Sequence, residues 1–236
     1  TTPSTPSSSF AYIKKAKLML CDNNIATRCN ALKGMYILCD ERDIISYMFK
    51  HRYDILIVRE FEGTASSSEE KLLALHLIEK IIDVAPELVS KDIANSLAAV
   101  GSYKKDECRI QALATLRTLT LKNPDVVSKT FGFITLSNAV LDKECKNLKA
   151  SIILTMLQLA DSPKIRNVFP YRNIIMHMYA PLLQIDAPNA EETLKNWENA
   201  AHNVEIMLRT YSGIYLLTSN VTNGLSAIVN LLCQPV

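Results

Sequence analysis

A helix-length segment that recurs at a fixed offset constrains this chain more than any other feature. Residues 71–90 read KLLALHLIEKIIDVAPELVS, and residues 109–128, at an offset of 38, read RIQALATLRTLTLKNPDVVS. The columns that match are Ala74 with Ala112, Leu75 with Leu113, Ile78 with Leu116, Ile81 with Leu119 and Pro86 with Pro124. Within each copy the apolar residues recur every three or four positions, which is the period of a helix with one buried face.

Weaker copies extend the pattern in both directions. They comprise Ala31, Leu32, Met35 and Leu38; then Leu148, Ala150, Leu154, Leu157 and Leu159, with Pro163 one residue late; then Ala201, Val204 and Met207 or Leu208. One unit cannot cover its own apolar stripe, whereas units stacked in a row bury it against each other. A period of about 38 to 43 residues is typical of armadillo and HEAT arrays. We therefore predict an all-α, armadillo/HEAT-like α-solenoid; the alternative is one irregular helical domain with accidental internal similarity.

Capping residues and prolines indicate where the helices begin and end. Ser66 and Ser67 are each followed three residues later by a glutamate, which fits two overlapping capping boxes. Pro86 is expected to end the helix before it, because proline disfavours helix at the preceding residue. Gly101 is expected in an exposed loop, and the apolar run at residues 54–58 is the nearest approach to a strand. Counting these segments gives about eleven or twelve helices.

The composition separates a short tail from a long folded region. Residues 1–9 are Ser, Thr and Pro only, so we expect a disordered tail there and a repeat domain over residues 10–236. The whole chain is 48% hydrophobic with a formal net charge of +2. This balance excludes a largely disordered chain, and the small basic excess argues against a nucleic-acid partner.

The sequence also carries expectations about the compartment. No run approaches the ~18 consecutive apolar residues that span a bilayer, and the N-terminus lacks the pattern of a signal peptide. The six cysteines include no Cys-x-x-Cys pair, and most of them lie in apolar helical runs. We therefore expect a reduced, soluble, cytoplasmic protein with no transmembrane segment.

Residues that could carry chemistry are few, and we predict no catalytic, metal-binding or cofactor-binding residue. His202 has Glu198 four residues before it and Glu205 three after it, so all three could share a helix face, but a solvated charged face explains them equally well. Cys108 and Cys145 follow acidic residues, which raise a thiol's pKa and weaken it as a nucleophile. We expect both cysteines to be structural.

Three groups of basic residues stand out: Lys14, Lys15 and Lys17; Lys50, His51 and Arg52; and Lys143, Lys146 and Lys149. Lysines that keep a helical array soluble are the simpler interpretation, and binding to acidic lipid or protein is the alternative. Trp197 is the single tryptophan. Armadillo receptors of nuclear cargo carry a repeated tryptophan, so cargo-peptide recognition of that kind is not favoured.

Several segments, in order and with matching spacing, resemble the N-terminal armadillo-like region of the Rictor/Pianissimo family. They are residues 31–63 (ALKGMYILCDERDIISYMFKHRYDILIVREFEG), 69–100 (EEKLLALHLIEKIIDVAPELVSKDIANSLAAV), 123–133 (NPDVVSKTFGF) and 159–169 (LADSPKIRNVF). The resemblance covers roughly residues 14–235. Where the family commonly has a tryptophan in a late helix, this chain has Tyr211, which is a conservative departure.

The resemblance implies a non-catalytic scaffold subunit of the second target-of-rapamycin kinase complex, and a chain that is part of a longer protein. The implied partners are the TOR kinase, a Sin-type subunit and a WD40-type subunit. The resemblance further implies that the complex acts on AGC-family kinases and that it can be recruited peripherally to the plasma membrane. The resemblance supplies no catalytic residue, and the residues that contact partners stay unassigned.

Three other functions remain as alternatives. A generic armadillo module would bind an extended peptide in a polar groove with regularly spaced asparagines. A small all-helical hydrolase would need a convergent cysteine or histidine site. A lipid-binding surface would use the lysine clusters.

Overall fold

The computed structural model describes residues 6–63, 66–166, 169, 171–183, 190–220 and 222–233. These residues form α-helices and short 3-10 turns, without a strand among them. The chain divides into two compact units, unit 1 (Thr1–Gly132) and unit 2 (Phe133–Val236). Within each unit successive helices pack on each other, so the fold class is the predicted one, all-α and solenoid-like.

Unit 1 contains eight α-helices in its described part. They are α1 (Pro6–Leu20), α2 (Ile25–Leu38), α3 (Arg42–Lys50), α4 (Tyr53–Glu62), α5 (Ser68–Val84), α6 (Lys91–Ser102), α7 (Arg109–Lys122) and α8 (Pro124–Ser128). One layer is the series α2, α5 and α7, in which each helix contacts the next, and a second layer is the series α4, α6 and α8. Helix α1 packs on α2, α3 and α4. The two repeats that the sequence aligns are therefore neighbours in this stack.

Side-chain bonds between repeats have the spacing of the repeat itself. Asn123 donates through Nδ2 to the carbonyl oxygen of Pro86 at 2.9 Å, across 37 residues. Lys122 Nζ lies 2.7 Å from Asp83 Oδ1, across 39 residues. The aligned alanines, Ala74 and Ala112, are both fully buried, because a small side chain lets neighbouring helices approach closely.

Unit 2 begins inside the ninth helix. Its described helices are α9 (Gly132–Leu141), α10 (Lys146–Asp161), α11 (Pro163–Arg166), α12 (Tyr171–Tyr179), α13 (Ala190–Leu208), α14 (Tyr211–Thr218) and α15 (Gly224–Leu232). Helix α13 is the centre of the unit, since it contacts α10, α12 and α14. The described helices number fifteen rather than eleven or twelve, because prolines start very short helices such as α8 and α11.

The repeat in unit 2 lies in a different register from the one that the sequence predicted. At the predicted offset of 38, Ala150 and Leu154 occupy core columns, but both are exposed, Leu154 by 46%. When the two sequences are aligned at an offset of 40, the buried residues of α10 match those of α7. Ala112, Leu113, Leu116 and Leu119 then correspond to Ile152, Ile153, Met156 and Leu159. Thr115 and Thr155, also 40 apart, both donate to the carbonyl four residues earlier, at 2.8 Å.

Helix starts were predicted with mixed success. Ser67 and Glu70 form the expected capping box, in which Glu70 N–H donates to Ser67 Oγ and Ser67 N–H donates to Glu70 Oε2. The overlapping box from Ser66 does not form, because Glu69 instead pairs with Lys33. Residues 54–58 lie in α4, so the nearest strand candidate is helical.

Two other expectations need correction. Gly101 is not in an exposed loop: it is buried in the last turn of α6, where its carbonyl accepts from Arg109 Nε at 3.2 Å. The expected tail at residues 1–9 overlaps α1, which begins at Pro6, because proline is preorganised for the first turn of a helix. Ser9 is buried within that helix, and residues 1–5 lie outside the described residues.

Candidate functional site

The histidine and carboxylates of α13 form a surface ion-pair chain. His202 Nδ1 lies 3.1 Å from one carboxylate oxygen of Glu205, and Arg209 donates to the other. These hydrogen bonds, first from His202 and then from Arg209, lower the pKa of Glu205. Glu198 faces a different pocket, described below. Among the described residues, no group of three or more histidines, cysteines and carboxylates is placed to hold a metal ion.

The two cysteines at helix starts are buried. Cys108 is 7% exposed, and burial raises the pKa of its thiol, with Asp106 and Glu107 adding to the effect. Cys145 is 1% exposed just before α10. An enclosed thiol is a poor nucleophile because reactants cannot reach it, so these positions suit packing rather than chemistry.

The first two basic clusters are brought together by the fold. Lys17 on α1 donates through Nζ to the carbonyl oxygen of His51 at 2.8 Å, and its ammonium lies 5.2 Å from the ring centroid of Tyr53. Arg52 takes a left-handed backbone conformation and pairs with Asp54 and Asp92 at 3.3 and 3.2 Å. These contacts fix α1 against the α3–α4 junction and neutralise part of the charge.

The third basic cluster lines a pocket of about 250 Å³ between the start of α10 and α13. Its cationic lining residues are Lys143, Lys146, Lys149 and Lys195. We call this feature the lysine pocket. Their spacing, at i, i+3 and i+6, predicts that Lys143, Lys146 and Lys149 lie on one helix; in the structure Lys143 instead lies in the 3-10 turn at residues 143–145, directly before α10. The packing of α13 adds the fourth lysine.

Lys149 differs from the other lysines of the pocket because it is buried. Its exposed fraction is 3%, and its Nζ donates to Asn199 Oδ1 on α13 at 3.0 Å. Burial lowers the pKa of its ammonium, and the nearby charge of Lys146 lowers it further. Among the described residues no carboxylate lies within ion-pair distance of it.

Unit 1 carries an apolar surface that the sequence reasoning missed. Two adjoining pockets of about 280 and 380 Å³ lie over α1, α2 and α5 and share Ile37, which is 69% exposed. We call this the α1–α2–α5 surface. Its principal residues are Tyr12, Gly34, Tyr36, Ile37, Leu73 and His76. The run Met35–Leu38 was the available signal: four consecutive apolar residues cannot all face the core from one helix.

Gly34 shapes this surface. A Cβ atom at this position would lie 2.0 Å from the hydroxyl of Tyr12. The absence of a side chain therefore lets Tyr12 lie across α2, where its hydroxyl donates to the carbonyl oxygen of Asn30 at 3.0 Å. The recess beside Ile37 depends on this close approach.

Trp197 lies half-buried on α13. Its indole N–H is enclosed and finds no hydrogen-bond partner in the described part of the chain. Its position is thus at a helix-packing surface of unit 2.

Comparison with protein-family models identifies the family of this chain. Residues 8–236 match the family model described as the N-terminal region of rapamycin-insensitive companion of mTOR. The chain belongs to the Rictor family. The resemblance seen in the sequence is thereby confirmed over nearly the whole chain.

Curated relatives of this Rictor-family chain come from distant organisms. It is 27% identical over 231 residues to mouse "Rapamycin-insensitive companion of mTOR", covering 93% of the chain. It is 22% identical over 226 residues, 88% of the chain, to "Protein pianissimo A" of Dictyostelium discoideum. It is 20% identical over 226 residues, 96% of the chain, to "Target of rapamycin complex 2 subunit TSC11" of Saccharomyces cerevisiae. The aligned region is 14%, 20% and 16% of these relatives, respectively.

The helices of this Rictor-family chain can be compared with the requirements for spanning a membrane. No helix in its described part combines the length and apolar character needed to cross a bilayer.

Proposed function

We propose that this chain is the N-terminal part of a non-catalytic scaffold subunit of the second target-of-rapamycin kinase complex. The names of its relatives support this proposal: one is a subunit of target of rapamycin complex 2, and another is a companion of mTOR. On this proposal the chain docks the TOR kinase and accessory subunits in AGC-kinase signalling.

The observation that carries the proposal is the α1–α2–α5 surface. Exposed apolar pockets over a rigid helical stack are what a docking site for another protein requires. Tyr36 and Ile37 are 43% and 69% exposed, although both are large apolar side chains. Lys33 and His76 line the same surface and supply polar groups at its edge.

The described residues offer less support for catalysis. The buried cysteines have no histidine among their described contacts, and the His202–Glu205 pair is exposed on α13. We therefore propose that the kinase and the accessory subunits supply the chemistry. The Sin-type and WD40-type subunits are proposed partners, and the proposed location is cytoplasmic, with recruitment to the plasma membrane through the complex.

Co-purification tests the proposal directly. The parent protein that carries this chain is tagged in its native cells, and TOR kinase in the purified material is quantified. We expect the kinase with the unaltered protein, and a loss of about tenfold or more with Ile37→Asp, because a charge at the centre of an apolar contact must be desolvated.

Leu18→Asp is the matched control. Leu18 is 76% exposed on α1 but does not line the α1–α2–α5 surface, so the same chemical change there leaves the kinase bound. Absence of the kinase from the unaltered protein would refute the proposed complex. Full retention by Ile37→Asp would move the docking site elsewhere on the protein.

A further inference from the structure

The lysine pocket contains a buried cation, Lys149, and the described residues place no carboxylate at ion-pair distance from it. Lys149 is 97% enclosed by the packing of α10 against α13, which is a costly place for an ammonium group. An ammonium has three donors, and Asn199 Oδ1 accepts one of them. Its other two donors find no protein acceptor among the described residues, and Lys149 lines the cavity of the lysine pocket.

The position of Lys149 in its helix adds to the positive potential. It lies in the first turn of α10, together with Lys146, and this turn contains no acidic residue. The N-terminus of a helix already carries partial positive charge and unpaired N–H groups, so acidic residues are the favourable ones there. In α10, the lysine side chains of the first turn instead add positive charge to the positive end of the helix.

The two carboxylates that line the pocket, Asp142 and Glu198, reduce this positive potential but are outnumbered by the lysines. Asp142 directs Oδ1 to the backbone N–H of Glu144, at 3.0 Å, as the cap of the 3-10 turn at residues 143–145. Glu198 lies on the exposed side of α13 and opposes an incoming anion. Lys195 pairs with Glu191. Lys143 in the 3-10 turn and Lys146 at the start of α10 have no carboxylate at ion-pair distance among the described residues.

We propose that the lysine pocket binds a phosphate group of a soluble, multiply charged phosphate compound. Three features carry the inference: a buried ammonium with unused donors, two further lysines at the rim, and a helix N-terminus at the same place. The cavity of about 250 Å³ accommodates several waters at about 30 Å³ each, and so a phosphate group with part of its hydration. The site is independent of the docking surface in unit 1.

Calorimetric titration of the 236-residue chain with pyrophosphate tests the proposal. We expect saturable binding of one pyrophosphate per chain. Lys149→Met keeps the length of the buried stem and removes the donors, and it weakens binding by at least about tenfold, the size of one charge-assisted hydrogen bond. Lys146→Gln, an exposed change that does not threaten folding, weakens it several-fold. Glu198→Gln strengthens it, because an opposing charge is lost.

Lys15→Met is the matched control for the loss of one positive charge. Lys15 is exposed on α1 in unit 1, and its replacement leaves the affinity unchanged. Circular dichroism establishes that each variant is folded. Absence of pyrophosphate binding, or equal weakening by Lys15→Met and Lys149→Met, overturns the site.

Two further probes identify the source of the phosphate. Sulfate at equal ionic strength separates phosphate binding from general screening, so equal competition by sulfate argues against a phosphate site. Sedimentation with vesicles containing phosphatidylinositol bisphosphate measures the membrane source. Binding to these vesicles without binding to pyrophosphate overturns the proposal of a soluble ligand.

Discussion

The first turn of the repeat helix carries a basic residue in both units, but the partner of that residue differs between the units. Lys71 in α5 and Arg109 in α7 are 38 positions apart, and Lys149 in α10 follows Arg109 by 40. Lys71 Nζ pairs with Asp106 Oδ2 at 3.1 Å, whereas Lys149 donates to the neutral amide of Asn199. In unit 1 this position joins neighbouring repeats, and in unit 2 it faces a cavity.

The same contrast holds for the ion pairs around it. In unit 1, pairs such as Lys33–Glu69 and Lys71–Asp106 join residues about one repeat apart. In unit 2, Lys195–Glu191 joins residues one turn apart on α13. Charge in unit 1 therefore fixes the stacking of repeats, while charge in the lysine pocket stays available to a ligand.

The largest expected effect comes from the buried charge network of unit 1. Arg28 Nε lies 2.6 Å from Glu70 and 3.4 Å from Glu60, and both carboxylates are almost fully buried. Glu70→Ala removes the closer ion-pair partner of Arg28, leaving only Glu60 beside the guanidinium, and it also removes the carboxylate that accepts the Ser67 N–H in the capping box. We expect the free energy of unfolding to fall by about 3–5 kcal/mol. Urea denaturation measures the change.

Its neighbour Glu69 is the control. Glu69 is 62% exposed in its pair with Lys33, and Glu69→Ala leaves the urea midpoint unchanged within error. If both variants lost the same free energy of unfolding, burial would not determine how much these ion pairs stabilise the fold.

Core substitutions sharpen the comparison of registers. Met156 is fully buried in α10, whereas Leu154 is 46% exposed. Met156→Ala is expected to cost about 2–5 kcal/mol and Leu154→Ala about 0.5 kcal/mol or less. Thermal unfolding followed by circular dichroism ranks the two, and the reverse order would restore the offset of 38 that the sequence suggested.

Replacing Lys71, which has a carboxylate partner, or Lys149, which has an amide partner, is expected to change the free energy of unfolding less, and in different directions. Lys71→Met leaves Asp106, 9% exposed, without its partner and costs about 1–3 kcal/mol. Lys149→Met removes a buried charge but also leaves Asn199 Oδ1 without a donor, so stability without added anion stays within about 1 kcal/mol of the unaltered chain or rises. Chemical denaturation in an anion-poor buffer compares them; a loss at Lys149 as large as at Lys71 contradicts the contrast between units.

The smallest expected effect is a pH dependence from Glu70. Burial alone would raise the pKa of its carboxyl, but hydrogen bonds from Arg28 and Ser67 outweigh it, and the pKa lies below the ordinary value of 4.5. The stabilisation is therefore complete above pH 4.5 and is lost as the pH falls through the lower folded-state value. Melting temperatures between pH 6 and pH 3 should fall more steeply for the unaltered chain than for Glu70→Gln; parallel curves would remove this role of Glu70.

The sequence predicted the repeat architecture better than it predicted individual positions. Ala74 and Ala112 match because the same helix packing recurs, and the Ser67–Glu70 cap is local, so both can be inferred without a structure. Gly101 was misassigned, because a glycine followed by polar residues is a loop signal that burial against α7 overrides.

The candidate sites were less predictable than the fold. The spacing of Lys143, Lys146 and Lys149 predicts that they lie together, but it does not say that Lys149 is enclosed. That property depends on α13, which begins about 40 residues later in the chain. Likewise, the run from Met35 indicates an exposed apolar side chain on α2, but not that α1 and α5 extend it into a surface.

By itself, the sequence determined the helical repeat, its caps and its family, because periodicity, capping and colinear motifs are properties of residues near each other in the chain. The tertiary structure decided the register of α10, the enclosure of Lys149 and the apolar recess beside Ile37. The reason is that burial and charge compensation depend on which distant helix packs against a residue, and no local pattern records that partner.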